Sequence, residues 1–198
     1  MKASKLVYNC NGYDSVNGIA QVGIEFSINN KKKFFGLEEW NNNKIIKNLK
    51  LGYLDSFRAN KINGVVEDIV LFFYNPNDKK VYLAGCLKNV KQLDFNEIKE
   101  KRNFLEEQNW INIVHENFQN INDDGLGFKK FKKCWSSNDI IVKTEKSFVF
   151  NLEYEKLIFF DIPLNLTDIF PEINNLKRLS VLYNLKREIQ EFILKQCK

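Results

Sequence analysis

The segment Asp68–Leu93 reads DIVLFFYNPNDKKVYLAGCLKNVKQL. Asp68–Tyr74 is a continuous apolar run of strand length, which predicts a buried strand. Asn75-Pro76-Asn77-Asp78 then predicts a tight turn, because Asn and Asp side chains bond nearby backbone amides and Pro fixes φ. Lys80–Val90 follows as the returning strand, so the segment as a whole is a hairpin.

Upstream, Lys5–Tyr8 reads as a strand and Asn9–Gly18 as a polar turn-rich stretch. Ile19–Ile28 alternates as a half-buried strand does, and Asn29-Asn30 turns it into Lys32–Phe35. Glu38–Lys50 reads as a helix with Trp40, Ile45, Ile46 and Leu49 near one face. Downstream, Asp94 is placed to cap a helix from Phe95 to about Gln108. Asn120–Gly127 reads as a loop. Asp139–Val142, Ser147–Leu152 and Leu157–Asp161 read as short strands, and Pro163 and Pro171 bracket a connection. A long amphipathic helix, Asn174 to about Gln196, closes the chain. The expected fold is therefore α+β, a partly open barrel with helical decoration.

A chain of 198 residues, 44% hydrophobic and with 17 Phe, can bury one sizeable core. Residues 1–165 are expected to form the domain, with 166–198 a helical appendage leading out of it. No apolar run is long enough for a signal peptide or a membrane span, and Cys10, Cys86, Cys134 and Cys197 form no CxxC pair. That pattern predicts reduced thiols in a cytoplasmic protein.

The formal net charge is +5, and its signs are segregated along the chain. Lys31–Lys61 holds eight basic and three acidic residues, Lys79–Lys91 four lysines and no acid, and Asp94–Asp124 eight acids against three basic residues. Lys129-Lys130-Phe131-Lys132-Lys133 follows. The layout suggests one basic and one acidic side, although an AT-rich coding sequence would also supply lysine.

No complete set of catalytic groups is legible. His115 is the only histidine, and Gln119 stands where a zinc protease needs its second. There is no P-loop, and Gly125-Leu126-Gly127 lacks the third glycine of a dinucleotide site. Glu97-Ile98-Lys99 has the spelling of a metal-dependent nuclease element, but in a helical pattern. The expectation is no catalysis, no metal and no cofactor in this segment.

For nucleic acid the residue types agree. Lys31, Lys32, Lys33, Lys61, Lys79, Lys80 and Lys88 lie in turns or at strand ends, where ammonium groups neutralise phosphates. Asn41 and Asn60 can read base edges, and Arg58 can pair bidentately with guanine. Trp40, Trp135 and Tyr74 could stack on an extruded base, or simply fill the core.

With Glu38-Glu39-Trp40-Asn41 and the Tyr13–Phe26 stretch, the Asp68–Leu93 hairpin resembles the pseudobarrel families that read nucleic acid. One is the B3-like DNA-binding domain, also found as the N-terminal specificity domain of McrB-like, LlaJI-type restriction GTPase subunits. The other is the PUA/EVE/YTH-like group, which cages a modified base. The resemblance implies a B3-like or PUA-like pseudobarrel that binds double-stranded DNA in a modification-dependent or site-specific restriction system. The last helix, with Lys177-Arg178 and Lys186-Arg187, would then lead into a GTPase motor domain that acts with a nuclease subunit. A metal-dependent nuclease and a protein-interaction domain without a nucleic-acid role remain alternatives.

On this reading Arg58→Ala should cost about 1–3 kcal/mol on a preferred site and flatten discrimination between sites. Removing Lys79 and Lys80 should weaken all DNA alike and lower the salt slope by up to ~2. Competition binding with two duplexes distinguishes the two effects.

Overall fold

A computed structural model of the chain describes residues 1–6, 9, 13, 24–28, 31–35, 37–54, 56–57, 67–121, 125–136, 150–175 and 182–197. The expected turn at Asn29-Asn30, the strand Asp139–Val142, most of Asn9–Gly18, and the first halves of Ile19–Ile28 and Ser147–Leu152 lie outside them.

The Asp68–Leu93 hairpin forms as expected, from β5 (Glu67–Asn75) and β6 (Lys80–Gln92). Its turn is closed locally: the Lys79 amide donates to the Asn75 carbonyl at 2.9 Å, and Asn75 and Asp78 side chains accept from the amides of Asn77 and Lys80. Lys79 adopts φ 61 there. The apolar run is continuous because β5 buries both faces. Ile69, Leu71 and Phe73 enter one core, and Val70 and Phe72 enter another.

Around this pair lies an open mixed sheet. β1 (Lys2–Leu6) runs parallel to β5, and β9 (Leu182–Asn184) pairs antiparallel on the other side of β1. Beyond β6 lie β8 (Lys156–Asn165) and β7 (Leu152–Glu153), and β7 pairs with β4 (Leu51–Gly52). β2 (Ile24–Ile28) and β3 (Lys31–Phe35) form a separate antiparallel pair. The α+β class holds. The path of paired strands ends at β4 on one side and β9 on the other, so the described strands do not close into a barrel.

β8 departs from expectation, because Pro163 lies inside it rather than beyond it. Its register runs from Leu83↔Leu164 to Gly85↔Phe159, which sets Phe160, Asp161, Ile162 and Pro163 as a bulge against Ala84. A bulge releases the ladder amide that proline lacks. Next to it the strands approach closely: a Cβ on Gly85 would lie 1.9 Å from the Ile158 carbonyl oxygen.

Glu38–Lys50 is not one helix. It divides into a 3-10 turn (Leu37–Trp40) and α1 (Lys44–Asn48), because the Asn43 side chain accepts from the Ile45 amide and starts a new helix. Asp94 caps α2 (Phe95–Glu107) with a full capping box, its carboxylate on the Glu97 amide and Glu97 on the Asp94 amide. Two further helices follow that were not anticipated, α3 (Trp110–Asn120) and α4 (Leu126–Ser136). Trp110, Val114 and Phe118 of α3 and Phe131 and Trp135 of α4 bury against Trp40, Ile46 and Leu105.

The closing helix is shorter than its apolar spacing suggested. Leu182 and Tyr183 belong to β9, and the helix proper is α5 (Arg187–Gln196); Leu176, Leu179 and Lys177-Arg178 lie outside the described residues. Nor is the segment after 165 a mere appendage. Leu166, Ile173, Leu185, Ile189, Ile193 and Cys197 fill one core together with Val70, Phe72 and Cys86. Cys86 and Cys197 are free thiols in that core. No helix among the described residues is long and apolar enough to cross a membrane.

Gly85→Ala should destabilise the fold by roughly 1–3 kcal/mol, because strand backbone must move to admit the methyl group. Urea unfolding checks this, and an unchanged midpoint would contradict the close β6–β8 approach.

Candidate nucleic-acid interface

Three of the four lysines in the acid-free run Lys79–Lys91 acquire acidic partners through the fold. Lys80 Nζ lies 3.0 Å from Asp168, Lys88 Nζ lies 2.9 Å from Asp68, and Lys91 pairs with Glu97. The Lys80 pair is exposed, so it contributes little and competes poorly with a phosphate. The Lys88 pair is more enclosed, and Asp68 also accepts from the Asn89 amide at 3.1 Å. Burial alone would raise the Asp68 carboxyl, but the Lys88 ammonium and that amide outweigh it and hold it below its ordinary range. Lys88 is therefore engaged within the fold. Lys79 is exposed at the hairpin tip.

Asn41 is corrected from base reader to scaffold. It is 3% exposed; its amide donates to the Tyr53 carbonyl at 2.9 Å, and its oxygen accepts from the Tyr53 amide at 2.8 Å. Asn151 brackets Leu54 in the same way, at 2.8 and 3.0 Å. The two carboxamides act as substitute strand neighbours for residues 53 and 54. Trp40 and Trp135 are buried too, and the Trp40 indole donates to Asn117 at 3.0 Å. Tyr74 is half-buried under the Lys5 ammonium. His115 sits against the Phe128 ring, with centroids 4.3 Å apart. Arg58, Asn60 and Lys61 lie outside the described residues.

β2 runs beside α4, which carries Lys129, Lys130, Lys132 and Lys133, and pairs with β3, which carries Lys31, Lys32 and Lys33. Lys31, Lys129, Lys132 and Lys133 are exposed, whereas Lys33 and Lys130 are half-buried.

A recess of about 640 Å³ opens on the sheet face opposite α5, within the ~300–1,000 Å³ range of small-molecule sites. Its walls are aromatic. Tyr13 stacks on Phe159 at 5.2 Å, and Phe73 stacks on Tyr82 at 5.4 Å, these two being register partners on β5 and β6. Asn9, Asn42, Asn75, Lys47 and Asp161 supply its polar groups, and the β8 bulge forms one side. Several are fixed by bonds. Asn9 donates to the buried Glu39 carboxylate at 2.7 Å, its oxygen accepts from the Tyr13 amide, and the Asn42 amide donates to the Tyr13 carbonyl at 2.7 Å. Tyr82 donates from its hydroxyl to Asp78 at 2.6 Å, tying the recess to the hairpin tip that carries Lys79.

Sequence reasoning named none of these aromatic residues as site residues. Each reads individually as core, and the signal that they share a recess lies only in their non-local pairing. Neither a known protein family, nor a curated protein, nor a solved structure matches this chain significantly. Among the described residues no group of three or more His, Cys, Asp or Glu side chains is arranged to hold a metal ion.

The Asp68–Lys88 pair predicts an acid limb in stability. A carboxylate with a depressed folded pKa contributes stability above its unfolded value, which is lost as pH falls through the folded one. Wild-type stability should therefore fall below about pH 4. Asp68→Asn should lower stability at neutral pH and flatten that fall, Glu97 and Glu172 accounting for part of what remains. Denaturant unfolding between about pH 2 and 7 tests both effects.

Proposed function

We propose that this domain binds DNA as a specificity module and performs no catalysis itself. The observation that carries the reading is the aromatic recess beside a lysine-bearing hairpin tip. Stacked rings suit a flat heteroaromatic base, whichever base it is, because every base has a π face. Carboxamides and a carboxylate at the rim suit base-edge donors and acceptors. Lys47 and Lys79 suit the flanking phosphates, and the β3–α4 lysines add a sequence-independent attraction.

The resemblance to B3-like and PUA-like pseudobarrels supports the same reading from the sequence side, although the described strands leave the sheet open. It would place the domain in a modification-dependent or site-specific restriction system. A downstream GTPase motor domain and a nuclease subunit would then be its partners.

Gel-shift titration of random-sequence and base-modified duplexes at two salt concentrations tests the proposal. Affinity should fall steeply with salt as several counterions are released together. Tyr82→Ala should weaken binding by roughly 1–3 kcal/mol with little change in salt slope, whereas Lys47→Ala should lower the slope by about 1. Absence of binding to every duplex at low salt would overturn the DNA reading. Salt-insensitive capture of a protein partner in its place would favour the interaction-domain alternative.

A further inference from the structure

Ile162 is 80% exposed, far more than Phe104 at 48%, the next among the large hydrophobic side chains of the described residues. Its exposure does not come from a loose loop. It occupies the β8 bulge, whose first residue Phe160 and the following Leu164 both pack against the core beneath α5, and Pro163 stiffens the backbone next to it. The same bulge lines the aromatic recess, so a projecting apolar side chain stands at the edge of a hollow with stacked aromatic walls.

We infer that Ile162 is a wedge that enters duplex DNA between neighbouring base pairs and fills the space left by a base turned into the recess. This rests on the DNA reading above and adds that the ligand is a duplex with one base extruded. A base cannot reach a pocket while stacked, and turning it out leaves a gap in the stack. An aliphatic side chain held at the pocket edge can occupy that gap, as apolar wedges do when they part base steps. Asp161, exposed beside it, repels phosphate and accepts from exocyclic amino groups, which favours base over backbone at the mouth. The phosphates are left to Lys47 and Lys79.

The experiment compares the wild-type chain with Ile162→Ala and Ile162→Leu. The ligands are a fully paired duplex, the same duplex with one mismatch, and a single strand of the same sequence, all at low salt. Because position 162 is exposed, all three proteins should share one melting temperature. Ile162→Ala should lose roughly ten- to hundredfold in affinity for the paired duplex. It should lose less on the mismatch, whose base is already loosened, and nothing on the single strand; Ile162→Leu should restore duplex binding. 2-Aminopurine placed in the duplex should brighten with wild-type protein and stay dark with Ile162→Ala. Equal affinities of wild type and Ile162→Ala for the paired duplex, or equal losses on all three ligands, overturn the wedge while leaving DNA binding intact. Wild-type protein that binds none of the ligands overturns the DNA reading, and the wedge with it. Concentration-dependent self-association that Ile162→Ala abolishes would make this side chain a contact between copies and also overturn the wedge.

Discussion

Two-sided burial of the β5–β6 hairpin is the constraint on which the remaining structure rests. A strand pair with one apolar face needs one cover, but this pair needs two, and distant parts of the chain supply them. α5 and the Leu166–Ile173 segment cover one face, and Tyr13, Leu54, Phe57 and Tyr154 cover the other. β6 also continues past β5, so its far end pairs with β7 while its near end pairs with β8. Absence of a side chain at Gly85 lets β8 come close. Beyond that close contact the two strands fall out of step, and the misfit becomes the bulge that walls the recess.

The features legible in the sequence are those decided within a few residues. The hairpin turn is written in Asn75 to Asp78, and the start of α2 in Asp94; both form as expected, and Glu97 adds the reciprocal bond of a capping box. The helices α3 and α4 were also written locally. Their buried residues recur every fourth position, at Trp110, Val114 and Phe118 and at Phe131 and Trp135, a spacing to which the sequence reading assigned no element. What was not legible depends on remote neighbours. Leu182 and Tyr183 fit a helical stripe, yet the edge of β1 claims them as a strand. The pairing of Lys80 with Asp168 and Lys88 with Asp68 removes charge that the linear sequence left unopposed.

Asparagine illustrates why the candidate site was harder to read than the fold. A carboxamide offers the same donor and acceptor to adenine as to a peptide group, so composition does not separate the two uses. Asn41 and Asn151 use theirs to hold Tyr53 and Leu54, and Asn9 donates to Glu39 beneath the recess. Burial decides which asparagines are committed to the scaffold. The aromatic residues raise the same difficulty in reverse: Phe73 and Tyr13 are almost fully buried and still line the hollow.

β1 lies between β5, to which it is parallel, and β9, so its backbone is paired on both sides only by residues some 65 and 180 positions later in the chain. Pairings of that separation close large loops, and folding governed by them is slow. On a ribosome, the earliest of these strands would wait with one edge bare until the last had emerged. That bare edge is a template for strand addition by another chain. During synthesis, aggregation through β1 is therefore the hazard this topology carries, and the short β9 is what retires it.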